Sequence, residues 1–73
     1  MIEFRLNLIL KEKGLSQNQF AKKAGIRPNT VNNIVNNKTK RIEIETINRI
    51  LDEISDWGYD ISDLIVYRRW NNK

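Results

Sequence analysis

Behind its single proline, Pro28, the chain sets Asn29, Asn32 and Asn33, with Arg27 in front and no acidic residue from Arg27 to Asn36. An asparagine carboxamide carries an acceptor and two donors in one plane, which matches the N6/N7 edge of adenine; an arginine guanidinium matches O6/N7 of guanine. Asparagine is a poor helix former. If this stretch is helical, local preference does not explain why asparagines crowd one exposed side of it, and such a mismatch points to a functional surface. The alternative is that they are surface filler. For Arg27, a plain surface charge or a phosphate contact stands beside base contact.

Lys38, Lys40 and Arg41 follow in a short polar loop whose chemistry suits phosphate oxygens. Ser16 and Gln17 stand where a helix begins, and the free N–H groups of a helix N-terminus also attract phosphate; for Gln17 the competing reading is a solvated helix residue. Lys22 and Lys23 read as a solvated face.

The net charge of +4 is unevenly spread. From Met1 to Ile42, nine Lys and Arg against Glu3 and Glu12 leave +7; from Glu43 to Lys73, four against seven acids leave −3. A basic half joined to an acidic half implies one surface that meets a polyanion and one that avoids it, although a solubilising mixture would look the same.

With neither Cys nor His in 73 residues, disulfides, thiolate or imidazole metal sites and the usual proton shuttle are excluded. The acids fall on helix surfaces rather than as a buried pair, and Ser16 has no base beside it in the sequence, so no enzyme, metal or cofactor is expected. No run reaches the roughly 20 apolar residues of a membrane span. The start, Met1 to Arg5, lacks the order of a secretion signal. The expectation is a soluble cytoplasmic protein without a small-molecule ligand.

Short helices must position these groups. The first is read from about Phe4 to Lys13 on the stripe Leu6, Ile9, Leu10, with Gly14 as its C-cap; Ile2, Phe4, Leu6 and Leu8 also alternate, which allows a strand at the start. Ser16 and Gln19 form a capping box for the second helix, with Leu15 stapled onto Phe20. Phe20, Ala21 and Ala24 face inward, and Gly25 ends it. The third helix opens at Pro28, which suits a first helical position, and buries Val31 and Ile34. The fourth runs from about Glu43 on Ile44, Ile47, Ile50, Leu51, Ile54 and Trp57 to Gly58. A short fifth opens at Asp60 or Ser62 and carries Ile61, Leu64 and Ile65. The domain is drawn over residues 1–66, with 67–73 as a basic, aromatic tail that is either a strand or a helix end.

The run Leu15-Ser16-Gln17-x-x-Phe20-Ala21-x-x-Ala24-Gly25-Ile26-x-x-x-Thr30-Val31-x-x-Ile34-x-Asn36-x-Lys38 resembles the Cro/phage-repressor helix-turn-helix family, also called the XRE family. The likeness continues through Lys40-Arg41-Ile42, Thr46-Ile47 and Ile61-Ser62-Asp63-Leu64. It implies an all-α, five-helix lambda-repressor-like bundle, with short strands allowed at the termini. It further implies a sequence-specific regulator of transcription, a repressor, that inserts helix 28–36 into the major groove of double-stranded DNA.

By position, the resemblance implies that Pro28, Asn29, Asn32 and Asn33 face bases, and that Gln17, Asn36, Lys38, Lys40 and Arg41 contact phosphates. It implies a homodimer on a palindromic operator, for which Tyr67 and Trp70 are candidate interface residues. Leu10 and Val35 stand where several relatives carry a buried Arg–Glu pair, so an apolar contact is expected to replace it at little or no cost. The segment Ser55 to Tyr59 is longer than the family usually has. An antitoxin or small interaction adaptor on the same fold is the alternative, although only Val66 to Lys73 is available to wrap a partner.

Overall fold

The computed structural model describes residues 1–69. In chain order, its elements are β1 (Ile2–Phe4), α1 (Leu6–Lys13), α2 (Gln17–Ala24), α3 (Pro28–Val35), α4 (Ile44–Ser55), α5 (Ile61–Leu64) and β2 (Ile65–Tyr67). The five helices of the described residues carry the architecture, and the strands pair as one antiparallel ribbon with Ile2 opposite Tyr67, Glu3 opposite Val66 and Phe4 opposite Ile65.

The first segment resolves in favour of a strand. Phe4 lies in β1, and the first helix begins only at Leu6. Phe4 is buried beside Leu6, Ile9 and Leu10, so the extended start contributes one side chain to the same core as the helix stripe. β2 runs through Tyr67, and Arg68 donates its N–H to the Met1 carbonyl at 2.7 Å. The boundary drawn after Val66 therefore falls inside a paired strand.

The core is one apolar cluster of Phe4, the α1 stripe, Phe20, Ala21, Ala24, Val31, Ile34, Ile50, Ile54 and Leu64. No polar side chain is buried in it. Leu10 belongs to it and Val35 packs against it, so the helix 1 to helix 3 contact is apolar. Two residues assigned inward by spacing are not inside: Ile44 is 78% exposed and Ile61 54%. Each is the first residue of its helix, in a turn where no neighbouring element lies over it.

The long connection after α4 is held by aromatic packing. Gly58, at φ 91°, turns the chain, with Tyr59 donating its N–H to the Ile54 carbonyl at 3.2 Å. Trp57 rests half-buried on Phe20, with ring centroids 6.2 Å apart. Lys13 Nζ lies 5.7 Å from the Trp57 ring and 6.0 Å from that of Tyr59, and the Tyr59 hydroxyl donates to Glu12. Beyond it, Asp60 caps α5 by accepting from the Ser62 N–H at 2.9 Å. The Ser62 hydroxyl, first among its contacts, holds the Asp60 carboxyl below its ordinary value.

Candidate nucleic-acid interface

The unit that carries the candidate residues is α2, the turn at Gly25 and α3. Ser16 accepts from the Gln19 N–H at 3.0 Å, and Gln19 Oε1 accepts from the Ser16 N–H at 2.9 Å, a complete capping box. This fixes where α2 begins and leaves the first-turn N–H groups of Gln17 and Asn18 without an intrahelical partner. Ser16 thus serves as a cap, and for phosphate it retains only its hydroxyl proton.

Gly25 ends α2 at φ 73°, a left-handed conformation that glycine enters without steric cost. A Cβ there would also lie 2.9 Å from Arg49 Nη1. Arg49 reaches over the turn from α4, paired with Glu45 at 3.0 Å. Arg49 Nη1 also donates to the Gly25 carbonyl at 3.5 Å, which ties the turn to α4.

α3 opens with Pro28 after an extended Arg27 that makes no side-chain cap. Val31 and Ile34 are fully buried. Asn29, Asn32, Asn33 and Asn36 fall at i, i+3, i+4 and i+7, one stripe on the opposite side, and all four are exposed, as are Arg27 and Pro28. The helix itself bears no charge. Positive charge lies at its two ends, on Arg27 before it and on exposed Lys38, Lys40 and Arg41 after it. A neutral, amide-rich ridge between cationic flanks can offer amides to base edges and cations to phosphate backbones.

Internal bonds order this ridge. Asn32 donates from Nδ2 to Gln17 Oε1 at 3.0 Å, and Asn36 donates from Nδ2 to the Asn32 carbonyl at 3.0 Å. Gln17 and Asn32, read as a phosphate contact and a base contact, are therefore directly coupled across the two helices. Lys38, Lys40 and Arg41 line a shallow cleft with Thr30, Asn33 and Thr46, between α3 and the start of α4. Thr30 and Thr46 carry part of the family resemblance but were given no contact role from the sequence; Thr30 is three residues from Asn33, the spacing that puts both on one side of the helix.

The dimer candidates separate. Tyr67 is 72% exposed on β2, directly across from Ile2 at 64%. Trp70 lies outside the described residues. No helix of the described residues is long and apolar enough to cross a membrane.

The family model of the Cro/C1-type HTH DNA-binding domain matches residues 5–68, which span α1 to β2 and the whole ridge. The chain belongs to the Cro/C1-type helix-turn-helix DNA-binding family. It is a DNA-binding regulator in the general sense of that family, with double-stranded DNA as its partner. No curated protein and no solved structure gives a significant match.

Proposed function

We propose that the protein is a sequence-specific transcriptional repressor that lays α3 in the major groove of a palindromic operator and acts as a homodimer in the cytoplasm. One observation carries the reading: the uncharged stripe Asn29, Asn32, Asn33 and Asn36, exposed along α3 and its C-cap between Arg27 and the Lys38–Arg41 loop. The amides supply the pattern recognition, with Pro28 and Arg27 closest to the base edges. Gln17, Asn36, Lys38, Lys40 and Arg41, with the Ser16 hydroxyl, hold phosphates. A repressor needs no more than occupancy of a promoter, which suits a chain with no catalytic, cofactor or metal constellation in its sequence. An antitoxin or adaptor role would instead draw on the apolar surface at Ile2 and Tyr67.

The test is selection of bound duplexes from a random pool with the full chain, followed by transcription from a promoter carrying the selected site. Enrichment of a palindrome, and lower transcription when the protein is present, are the expected results. A pool that stays random through repeated rounds overturns sequence-specific reading; a selected site that raises transcription overturns repression.

A further inference from the structure

Asn37 is the only non-glycine residue at positive φ among the described residues, at 56°. It stands just past α3, donating its N–H to the Ile34 carbonyl at 3.1 Å, while Lys38 donates to the Asn33 carbonyl at 2.8 Å. These two bonds are the helix-ending pattern in which a left-handed residue closes the last turn, a place where glycine is the usual choice. Asparagine does something there that glycine cannot. Its Oδ1 accepts the Phe4 N–H at 2.7 Å, and its Nδ2 donates to the Phe4 carbonyl at 3.1 Å.

Both main-chain groups of Phe4 point away from β2. On the inner side, the bonds to β2 and its flanks come from the alternate residues of the strand and its ends, with Arg5 donating to the Leu64 carbonyl at 2.7 Å and Arg68 to that of Met1. In an antiparallel pair, the residues alternate in this way between bonded and non-bonded positions. The Asn37 amide therefore occupies the outer edge of β1 as a third strand would, across 33 residues of sequence. The family match begins at Arg5, one residue after this strand.

We infer that Asn37 is a positioning residue for DNA binding: its two bonds to Phe4 fix the Lys38–Arg41 loop and the end of the recognition helix to the β1–β2 ribbon. The inference rests on the DNA-binding reading above. Asn37 sits between Asn36 and Lys38, the two phosphate candidates nearest the helix end. Without the clamp, the turn itself persists, since glycine adopts φ 56° freely. The loop after it then keeps the Lys38 N–H bond and the half-buried Thr39 and Ile42 as anchors, and Lys38, Lys40 and Arg41 must be ordered when DNA arrives, at an entropic cost.

The experiment compares wild type with Asn37→Gly, which keeps the turn and removes both bonds, and Asn37→Asp, which keeps the acceptor and loses the donor. Backbone amide relaxation of the free proteins is measured first. Asn37→Gly should show increased motion in residues 38–41 and in the last turn of α3, with α1 and α2 unchanged, and Asn37→Asp an effect no smaller, because its second carboxylate oxygen faces the Phe4 carbonyl. Binding to the selected duplex should then weaken about tenfold in Asn37→Gly, the worth of one or two ordinary hydrogen bonds. Lys40→Ala or Arg41→Ala should cost less in that background than in wild type. Loop amides as ordered in Asn37→Gly as in wild type overturn the positioning role, whether or not any duplex is bound. A tenfold loss that adds independently to Lys40→Ala and Arg41→Ala also overturns it. A wild-type chain that binds no duplex defeats the DNA reading instead, and the relaxation data still decide whether Asn37 holds the loop.

Discussion

Asn32 on α3 donates to Gln17 on α2, Nδ2 to Oε1 at 3.0 Å. The bond consumes one donor of Asn32 and one acceptor site of Gln17. Asn32 keeps Oδ1 and a second N–H for a base, and Gln17 keeps both N–H groups of its amide for a phosphate. In the proposed reading, contact with the DNA backbone and contact with the sequence are thereby joined through one hydrogen bond.

Because of that coupling, Gln17→Ala and Asn32→Ala should not be additive. Removing either leaves the other amide free to rotate, so the double variant should bind the selected operator better than the sum of the single losses implies. Groups that share a hydrogen bond couple by about 0.5–3 kcal/mol. Equilibrium binding of the four proteins closes the cycle, and additivity within about 0.3 kcal/mol would show the two amides to act separately.

A second expectation concerns salt. Lys38, Lys40 and Arg41 are exposed at one end of an uncharged helix, so each phosphate they neutralise should release counterions, giving a slope of about −0.9 per phosphate in log K against log salt. Lys38→Ala and Arg41→Ala should each flatten the slope by about one for every sequence alike. A binding constant that does not change between low and physiological salt would sink the assignment.

Asn29 and Asn33 make the complementary prediction. Both are exposed on the ridge, and among the described residues neither side chain makes a hydrogen bond, although the Asn33 carbonyl accepts from the Lys38 N–H. Truncating either to Ala should cost roughly 1–3 kcal/mol on the selected site and little on random duplex. Equal weakening on both kinds of DNA would reassign these amides to the backbone.

The elements whose cause is local were legible in the sequence. Ser16 and Gln19 cap α2 from three residues apart, and Pro28 needs only its own ring to open α3. β1 was ambiguous because the alternation of Ile2, Phe4, Leu6 and Leu8 overlaps the helix stripe that begins at Leu6, and its partner at Ile65–Tyr67 lies at the far end of the chain. Ile44 and Ile61 were read inward because spacing reports the face of a helix and not whether a neighbour covers its first turn. In the site, the exposed amides and the basic loop could be read from residue type and position. The Gln17–Asn32 bond, the Arg49 lid over Gly25 and the Asn37 clamp could not, since each joins residues 15 to 33 positions apart through a geometry that only the packed helices create.

Tyr59 gives a prediction about pH. Its hydroxyl bonds to Glu12, and that bond, followed by desolvation and the nearby charges of Glu12 and Asp63, raises its pKa above the ordinary tyrosine value. The bond exists only in the protonated phenol. A group raised in the folded state contributes stability that is fully present below the unfolded value, about 10, and is lost as pH rises through the folded value. Wild type should therefore be more stable than Tyr59→Phe at neutral pH, and the gap should close above about pH 10. Thermal midpoints of the two proteins across that range measure it; a gap that stays constant would mean the hydroxyl contributes nothing through Glu12.

The last prediction is stoichiometry on DNA. One ridge on an 8.7 kDa domain offers few base contacts, too few to compete with the excess of non-specific sites in a genome. Two ridges related by a two-fold axis, reading half-sites about 34 Å apart, raise affinity and specificity together. The ribbon offers a surface for this, since Ile2 and Tyr67 lie directly across from each other and both are largely exposed, while Asn37 closes the outer edge of β1 at Phe4. An isolated exposed apolar residue is ordinary, but Ile2 and Tyr67 are a cross-strand pair, both largely exposed. Tyr67→Lys should leave the core intact, because Tyr67 contributes nothing to it, and should reduce cooperative occupancy of the two half-sites. Native mass spectrometry of the saturated operator should count two chains per duplex for wild type. A monomer in dilute solution is compatible with assembly on DNA, so the count on the operator is the measurement that decides. One chain per saturated duplex, on a selected site without two-fold symmetry, would end the dimer proposal.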